Sequence, residues 1–154
     1  MKELNLSFLC RDGEILLAMK KRRFGAGKWN GYGGKCDVGE SIEDSAVREI
    51  EEESSVKVKK EDLNFFGTID FYFNDKPEWN QKVFIYKVYK WEGEPVETEE
   101  MKPQWYKFEE IPWSDMWVGD DQWLPLVIQN KKIKGEVHFD EGGKKLLNVK
   151  LIEE

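Results

Sequence analysis

Residues 48–53 read Arg-Glu-Ile-Glu-Glu-Glu, which puts four carboxylates within five positions. From Glu40 to about Ser54 the apolar residues Ile42, Ala46 and Ile50 recur every fourth position, and that period predicts a helix with one buried stripe. On such a helix Glu49, Glu52 and Glu53 share a face, because residues three and four apart are neighbours, while Glu51 points away. Like charges at those spacings repel by roughly a few tenths of a kcal/mol per pair, and by more when desolvated. A solvated acidic helix tolerates that cost. A divalent cation uses it, since Mg²⁺ is a hard ion held by carboxylates together with substrate phosphates. The fold therefore has to bury one side of this helix and keep an acidic edge open to a ligand.

The remaining chain supplies the scaffold. Its 154 residues are enough for one domain with its own core, and 40% of them are apolar. No apolar window reaches membrane-spanning length, the start of the chain carries no secretory pattern, and two cysteines make no disulfide framework, so a reducing cytoplasm is expected. A net charge of −7 argues against binding a nucleic-acid polymer but is compatible with a mononucleotide held through a metal. Residues 3–9 and 14–19 predict two strands joined at Arg11-Asp12-Gly13, followed by a glycine-rich segment over 24–35. Further strands are expected over 65–73 and 82–91 as antiparallel neighbours, and over 103–108. Asp120 or Asp121 is expected to cap a second helix reaching Gln129, with Pro125 tolerable near its first turn. The chain should close in a hairpin around Glu141-Gly142-Gly143. Strands outnumber helices, so the expected class is α/β (α+β), a mixed sheet between helices.

Gly34, Glu40 and Arg48-Glu49-Ile50-x-Glu52-Glu53 are separated by five and then seven intervening residues, with Val56 closing the pattern. This resembles the signature of the Nudix hydrolases, G-x5-E-x7-R-E-U-x-E-E-x-G-U with U a bulky aliphatic, and departs from it only at Ser55, where the family has glycine. The resemblance implies an α/β/α sandwich over residues 1–154 with its Nudix box at 34–56. It also implies hydrolysis of a nucleoside diphosphate linked to another group, and a metal set of Glu49, Glu52, Glu53, a Gly34 carbonyl and Glu100. Magnesium is the implied ion, with manganese as an alternative. Glu53, Glu52 or Glu100 would orient or deprotonate water, and Arg48 would fix the loop against the helix by pairing with Glu40 or a helix carboxylate. At Ser55 a left-handed helix end would cost serine roughly 1 kcal/mol relative to glycine.

The segments 20–35, 39–54, 94–106 and 111–126 resemble the oxidised-purine nucleoside triphosphatases of that family, which act on 8-oxo-dGTP and 2-oxo-dATP. That likeness implies a nucleotide pocket in which Trp117 stacks on the purine, Asp120 and Asp121 face its hydrogen-bonding edge, and Asn30 contacts the base. Phe24, Phe71, Phe73, Met101 and Trp123 would form walls, Gly33 would bend the chain tightly, and Asn5 and Lys20 would reach the sugar or phosphates. The family carries its two aspartates one place nearer the first tryptophan. Without a gap Asp120 matches the second and Gly119 replaces the first; with a bulge at Gly119, Asp120 and Asp121 fill both roles, the register expected here. Each tryptophan could instead be core, the aspartates could be helix caps, and Lys20 to Arg23 could be a solvated basic run. An alkylated purine triphosphate, an ordinary nucleotide or ADP-ribose is the alternative substrate, and a non-catalytic nucleotide sensor the alternative class. A monomer is expected.

Overall fold

The computed structural model describes residues 1–154. Strands β1 (Lys2–Arg11), β2 (Glu14–Lys20), β3 (Trp29–Asn30) and β4 (Tyr32–Lys35) precede helix α1 (Ile42–Ser54). Then follow β5 (Leu63–Phe73), β6 (Gln81–Val88), β7 (Met101–Lys107), helix α2 (Asp120–Ile128) and the closing strands β8 (Ile133–Asp140) and β9 (Lys145–Glu153). The strands join in one sheet of order β3-β2-β1-β6-β5-β8-β9, with β4 also on β1 and β7 also on β2. β1 runs parallel to β6 and β5 parallel to β8, while the other pairings are antiparallel, so the sheet is mixed as expected.

Alternation along β1 sorts the two helices onto opposite faces. Phe8 and Cys10 pack in the core that contains Trp123, Leu124 and Val127 of α2, whereas Leu9 packs with Ile50 of α1. The class is α+β, with the sheet between two helices. No helix is long and apolar enough to cross a membrane.

Three local expectations change. β1 and β2 pair only at Cys10 with Ile15 and Arg11 with Glu14, because the rest of β1 bends away to pair with β4 and β6. Gly119, with φ of 98°, is the N-cap of α2, so Asp120 is its first residue and neither aspartate side chain caps it. Pro125 lies in the second turn of that helix, where its ring removes the bond that the Asp121 carbonyl would otherwise accept.

Helix α1 starts on Ser41, whose hydroxyl accepts from the Asp44 N–H at 3.1 Å, and ends at Ser55 with φ of 68°. The left-handed end expected from the motif is present, on a residue that is not glycine. Ser55→Gly should therefore stabilise the protein by about 1 kcal/mol, a rise in Tm of about 2–4 °C. Calorimetry checks this; a fall in Tm would show that the serine side chain makes a compensating contact.

Candidate active site

The glycines of β4 permit a close approach that any side chain would block. A Cβ at Gly33 would stand 1.9 Å from the Asn5 carbonyl oxygen, and one at Gly34 would stand 2.7 Å from Glu49 Oε1. β4 can therefore lie against β1 on one side and α1 on the other, which brings the acidic helix to the edge of the sheet. Asn5 bolts this arrangement together. It is 2% exposed, and its amide donates to the Gly34 carbonyl at 3.1 Å and the Ser45 hydroxyl at 2.8 Å. The amide NH₂ of Asn5 thus holds the loop, while its Oδ1, in a residue that lines the cavity, has no partner in the protein.

Arg48 is the second brace. Its guanidinium forks onto Glu40 at 2.8 and 2.9 Å and also reaches Glu49 at 3.0 Å, Glu52 at 3.2 Å and the Lys35 carbonyl at 3.2 Å. The Arg48 fork and the Asp37 N–H hold the Glu40 carboxyl down at about 2. With its guanidinium spent on three carboxylates and a backbone carbonyl, Arg48 acts as a positioning residue.

Glu53 differs from its neighbours on the helix. Its Oε1 accepts from the Gly33 N–H at 2.9 Å, and burial together with the nearby charge of Glu49 pushes its carboxyl up to about 8. Burial likewise raises Glu49, against the pull of Arg48. Glu52 stands in solvent with its side chain 58% exposed. Glu100, expected as a ligand or base, pairs with Arg22 at 2.9 Å and with Arg23 at 3.7 Å. The hydrogen bond from Arg22 holds Glu100 below the usual carboxylate range, the opposite of what a base poised near neutrality needs.

The glutamates do not close into a preformed cage of three or more ligand side chains. The fit to a divalent ion lies in the donor chemistry. Burial raises the carboxyls of both Glu49 and Glu53, the Glu49 charge raises Glu53 further, and a hard cation would relieve that cost. Glu53, Glu49 and Glu52 would hold such an ion.

A cavity of about 200 Å³ opens beside Glu53. It is lined by Asn5, Lys20, Phe24, Asn30, Gly33, Gly34, Phe71, Phe73, Met101, Trp117, Asp120 and Trp123, all singled out in the sequence. Leu4, Leu6, Lys28, Gln81, Val83 and Phe139 line it too, and no motif marked them. Glu49, Glu52, Glu100, Arg48 and Asp121 do not. Sites that bury a drug-sized ligand typically span ~300–1,000 Å³, so this cavity is smaller than such sites.

The aromatic wall is built from distant segments. Phe24 lies 5.1 Å from Trp117 and 4.9 Å from Trp79, and Trp117 packs 6.0 Å from Phe139. Gly143, in the turn between β8 and β9, backs the same indole so closely that a Cβ there would meet it at 2.3 Å. Trp123 is buried in the wall and also supports Asp120, since its indole N–H donates to Asp120 Oδ1 at 3.1 Å.

Asp120 is 3% exposed, and its Oδ2 has no partner in the protein. Burial, only partly offset by the Trp123 N–H, raises its carboxyl to about 7. Asp121, expected at the base edge, does not line the cavity. Gly119 starts the helix in a left-handed conformation against Leu146, and successive helix positions diverge by about 100°, so Asp121 is exposed where Asp120 is buried. Asn30 accepts from the Gly31 N–H at 2.8 Å through its amide oxygen, which turns its NH₂ group toward other acceptors.

An acidic helix braced by an arginine fork, a glycine loop beneath it and an apolar cleft alongside define a Nudix hydrolase site. Residues 5–127 match the NUDIX domain, and the chain belongs to that family. Nudix hydrolases use a divalent metal. The chain is 46% identical over 138 residues to an oxidized purine nucleoside triphosphate hydrolase of Danio rerio, covering 90% of this chain and 86% of that protein. It is equally similar, 46% over 136 residues, to the Mus musculus protein of the same name, covering 88% and 85%. Among solved structures, a mutator MutT protein from Bacillus halodurans superposes with a TM-score of 0.81 at 25% identity, over 98% of this chain and 97% of that one.

Proposed function

We propose that this protein hydrolyses oxidised purine nucleoside triphosphates such as 8-oxo-dGTP and 2-oxo-dATP to the monophosphate and pyrophosphate, and so sanitises the nucleotide pool. The observation that carries the reading is the single cavity shared by Glu53 and Asp120, one acidic group suited to the phosphate chain and one suited to a base edge. Similarity to the two animal hydrolases supports the substrate class.

Magnesium, or manganese in its place, would be held by Glu53, Glu49 and Glu52; when bound it supplies positive charge for the phosphate oxygens and favours Glu53 as carboxylate. The chain's own residues do the rest. Water attacks phosphorus, the bridging P–O bond breaks, and Glu53 takes the water's proton. Gly33 N–H fixes the orientation of that carboxylate at 2.9 Å. Lys20 lies beside the mouth of the cleft to meet a phosphate. Inside, Trp117 offers a stacking surface, Asp120 meets the Watson–Crick edge, and the Asn30 NH₂ donates to a base acceptor. We propose that residues 1–154 act as one domain, as a monomer, in the reducing cytoplasm.

The test is kcat/KM for 8-oxo-dGTP beside 2-oxo-dATP, dGTP, an alkylated purine triphosphate and ADP-ribose, with Mg²⁺ and with chelator. Oxidised purine triphosphates should be strongly preferred, monophosphate and pyrophosphate should be the products, and chelator should abolish turnover. Equal rates on dGTP would sink the proposed specificity while leaving the hydrolase chemistry in place. Metal-dependent binding without turnover of any of these would favour the sensor reading.

A further inference from the structure

At the other end of α2 lies a lysine that the hydrolytic site does not use. Lys87 sits on the core-facing side of β6 with Val83 and Ile85, and it is 2% exposed. An ammonium in such a place ordinarily pairs with a carboxylate. Here none stands within 4.0 Å. The only side-chain acceptor of Lys87 is Asn130 Oδ1, at 2.6 Å, and this oxygen also accepts from the Tyr89 hydroxyl at 3.2 Å. The Phe66 ring lies 4.4 Å away and the Tyr89 ring 5.5 Å. Asn130 is itself held in the left-handed region, at φ of 65°.

Lys87 and Asn130 line a second cavity, of about 470 Å³, whose other walls include Tyr89, Phe108, Ile128 and Cys10. That volume falls within the ~300–1,000 Å³ of small-molecule sites, and the lining sets those apolar side chains beside the polar Lys87, Asn130, Arg11 and Asp12. The charges around it leave one cation uncompensated. Arg11, at the rim, is already paired with Glu14 at 2.9 Å. Asp12, also at the rim, is exposed and makes no ion pair with Lys87. Burial pushes the Cys10 thiol up to about 11, so it stays neutral and supplies no thiolate. The C-terminal end of α2 contributes only a partial negative charge, roughly half an elementary unit. One uncompensated positive charge beside the Tyr89, Phe108 and Ile128 side chains suits a monoanion with an apolar body better than a phosphate dianion.

We propose that the cavity beside the C-terminal end of α2 is a second ligand site, which takes a small organic carboxylate with Lys87 and Asn130 as its recognition groups. The site is separate from the first. Helix α2 runs from Asp120 at the hydrolytic cleft to Ile128 at this one, roughly 12 Å along its axis. The proposal stands whichever nucleotide the first site accepts.

The experiment is an NMR titration of the whole protein with benzoate and, separately, with inorganic phosphate, following the side-chain ¹H–¹⁵N signals of Lys87 and Asn130. Benzoate should give saturable shifts there. Lys87→Met should weaken binding about 10- to 100-fold and Lys87→Arg should largely retain it, while both variants keep basal nucleotide hydrolysis. Shifts confined to Gly33, Glu53 and their neighbours, or binding unchanged in Lys87→Met, would overturn the proposal. So would phosphate binding more tightly than benzoate. Should Lys87→Met not fold, the wild-type titration decides alone, since silence at Lys87 and Asn130 refutes the site.

Discussion

Glu53→Gln is expected to lower kcat by about 10²–10⁴-fold, the range supplied by a positioned general base, while the protein keeps its fold. The substitution preserves shape, and an amide oxygen can still accept from the Gly33 N–H that now bonds Glu53 Oε1. Its effect on stability has a definite sign. The Glu53 carboxyl titrates near 8 in the folded chain against 4.5 for a free glutamate, so the folded state holds the proton more tightly than the unfolded state does. As pH rises from about 4.5 to 8, ionising Glu53 destabilises the metal-free protein, and glutamine has no proton to lose. Metal-free Glu53→Gln should therefore be at least as stable as the wild type at pH 8, with a smaller difference at pH 5. Phosphorus NMR of the products and urea melts at the two pH values measure both effects. Near-normal turnover would remove Glu53 from the chemistry, and a collapse of stability at pH 8 would show that its charge holds the fold instead.

Asp120→Asn should change base selection, whereas Asp121→Asn should not. The buried carboxyl of Asp120 has one oxygen on the Trp123 indole and the other without a protein partner, while Asp121 faces solvent. Losing a buried charge-assisted hydrogen bond costs about 1.5–3 kcal/mol, or roughly 10- to 150-fold in kcat/KM on the substrate that uses it. Because burial raises the Asp120 carboxyl to about 7, ordinary assay conditions span both of its forms. Below about pH 7 the acid can donate to a purine oxygen or nitrogen, and above it the carboxylate accepts from purine N–H groups. The ratio of 8-oxo-dGTP to 2-oxo-dATP turnover should therefore drift between pH 6 and 8 in the wild type and stay flat in Asp120→Asn. Equal sensitivity of the two aspartate variants, or an unchanged ratio in both, would remove Asp120 from base reading.

Residues whose role depends on local spacing were legible before any fold was known. Ile42, Ala46 and Ile50 predicted α1, and three- and four-residue spacings put Glu49, Glu52 and Glu53 on one helix face, while Gly34, Glu40 and Arg48 were named by the resemblance to the Nudix signature. The left-handed conformation at Ser55 was implied by the same resemblance, which has glycine at that position. Expectations that rested on one residue's environment needed the fold. Asn5 and Trp123 line the cavity and also brace the loop and support Asp120, while Glu100 pairs with Arg22 and does not line it, since each of those outcomes depends on which distant group lies within about 3 Å.

Periodicity and motif spacing, then, determined the element types, the mixed class and the candidate metal-binding helix. Tertiary structure alone decided that Glu53 and not Glu52 faces the cleft, that Asp120 is buried while Asp121 is not, and that Gly143 backs Trp117 from more than twenty residues away in sequence. It alone left Lys87 without a counter-ion. The reason is physical: spacing sets a side chain's direction, but desolvation and charge depend on what the whole sheet packs around it, and those two terms set the protonation of Glu53 and Asp120.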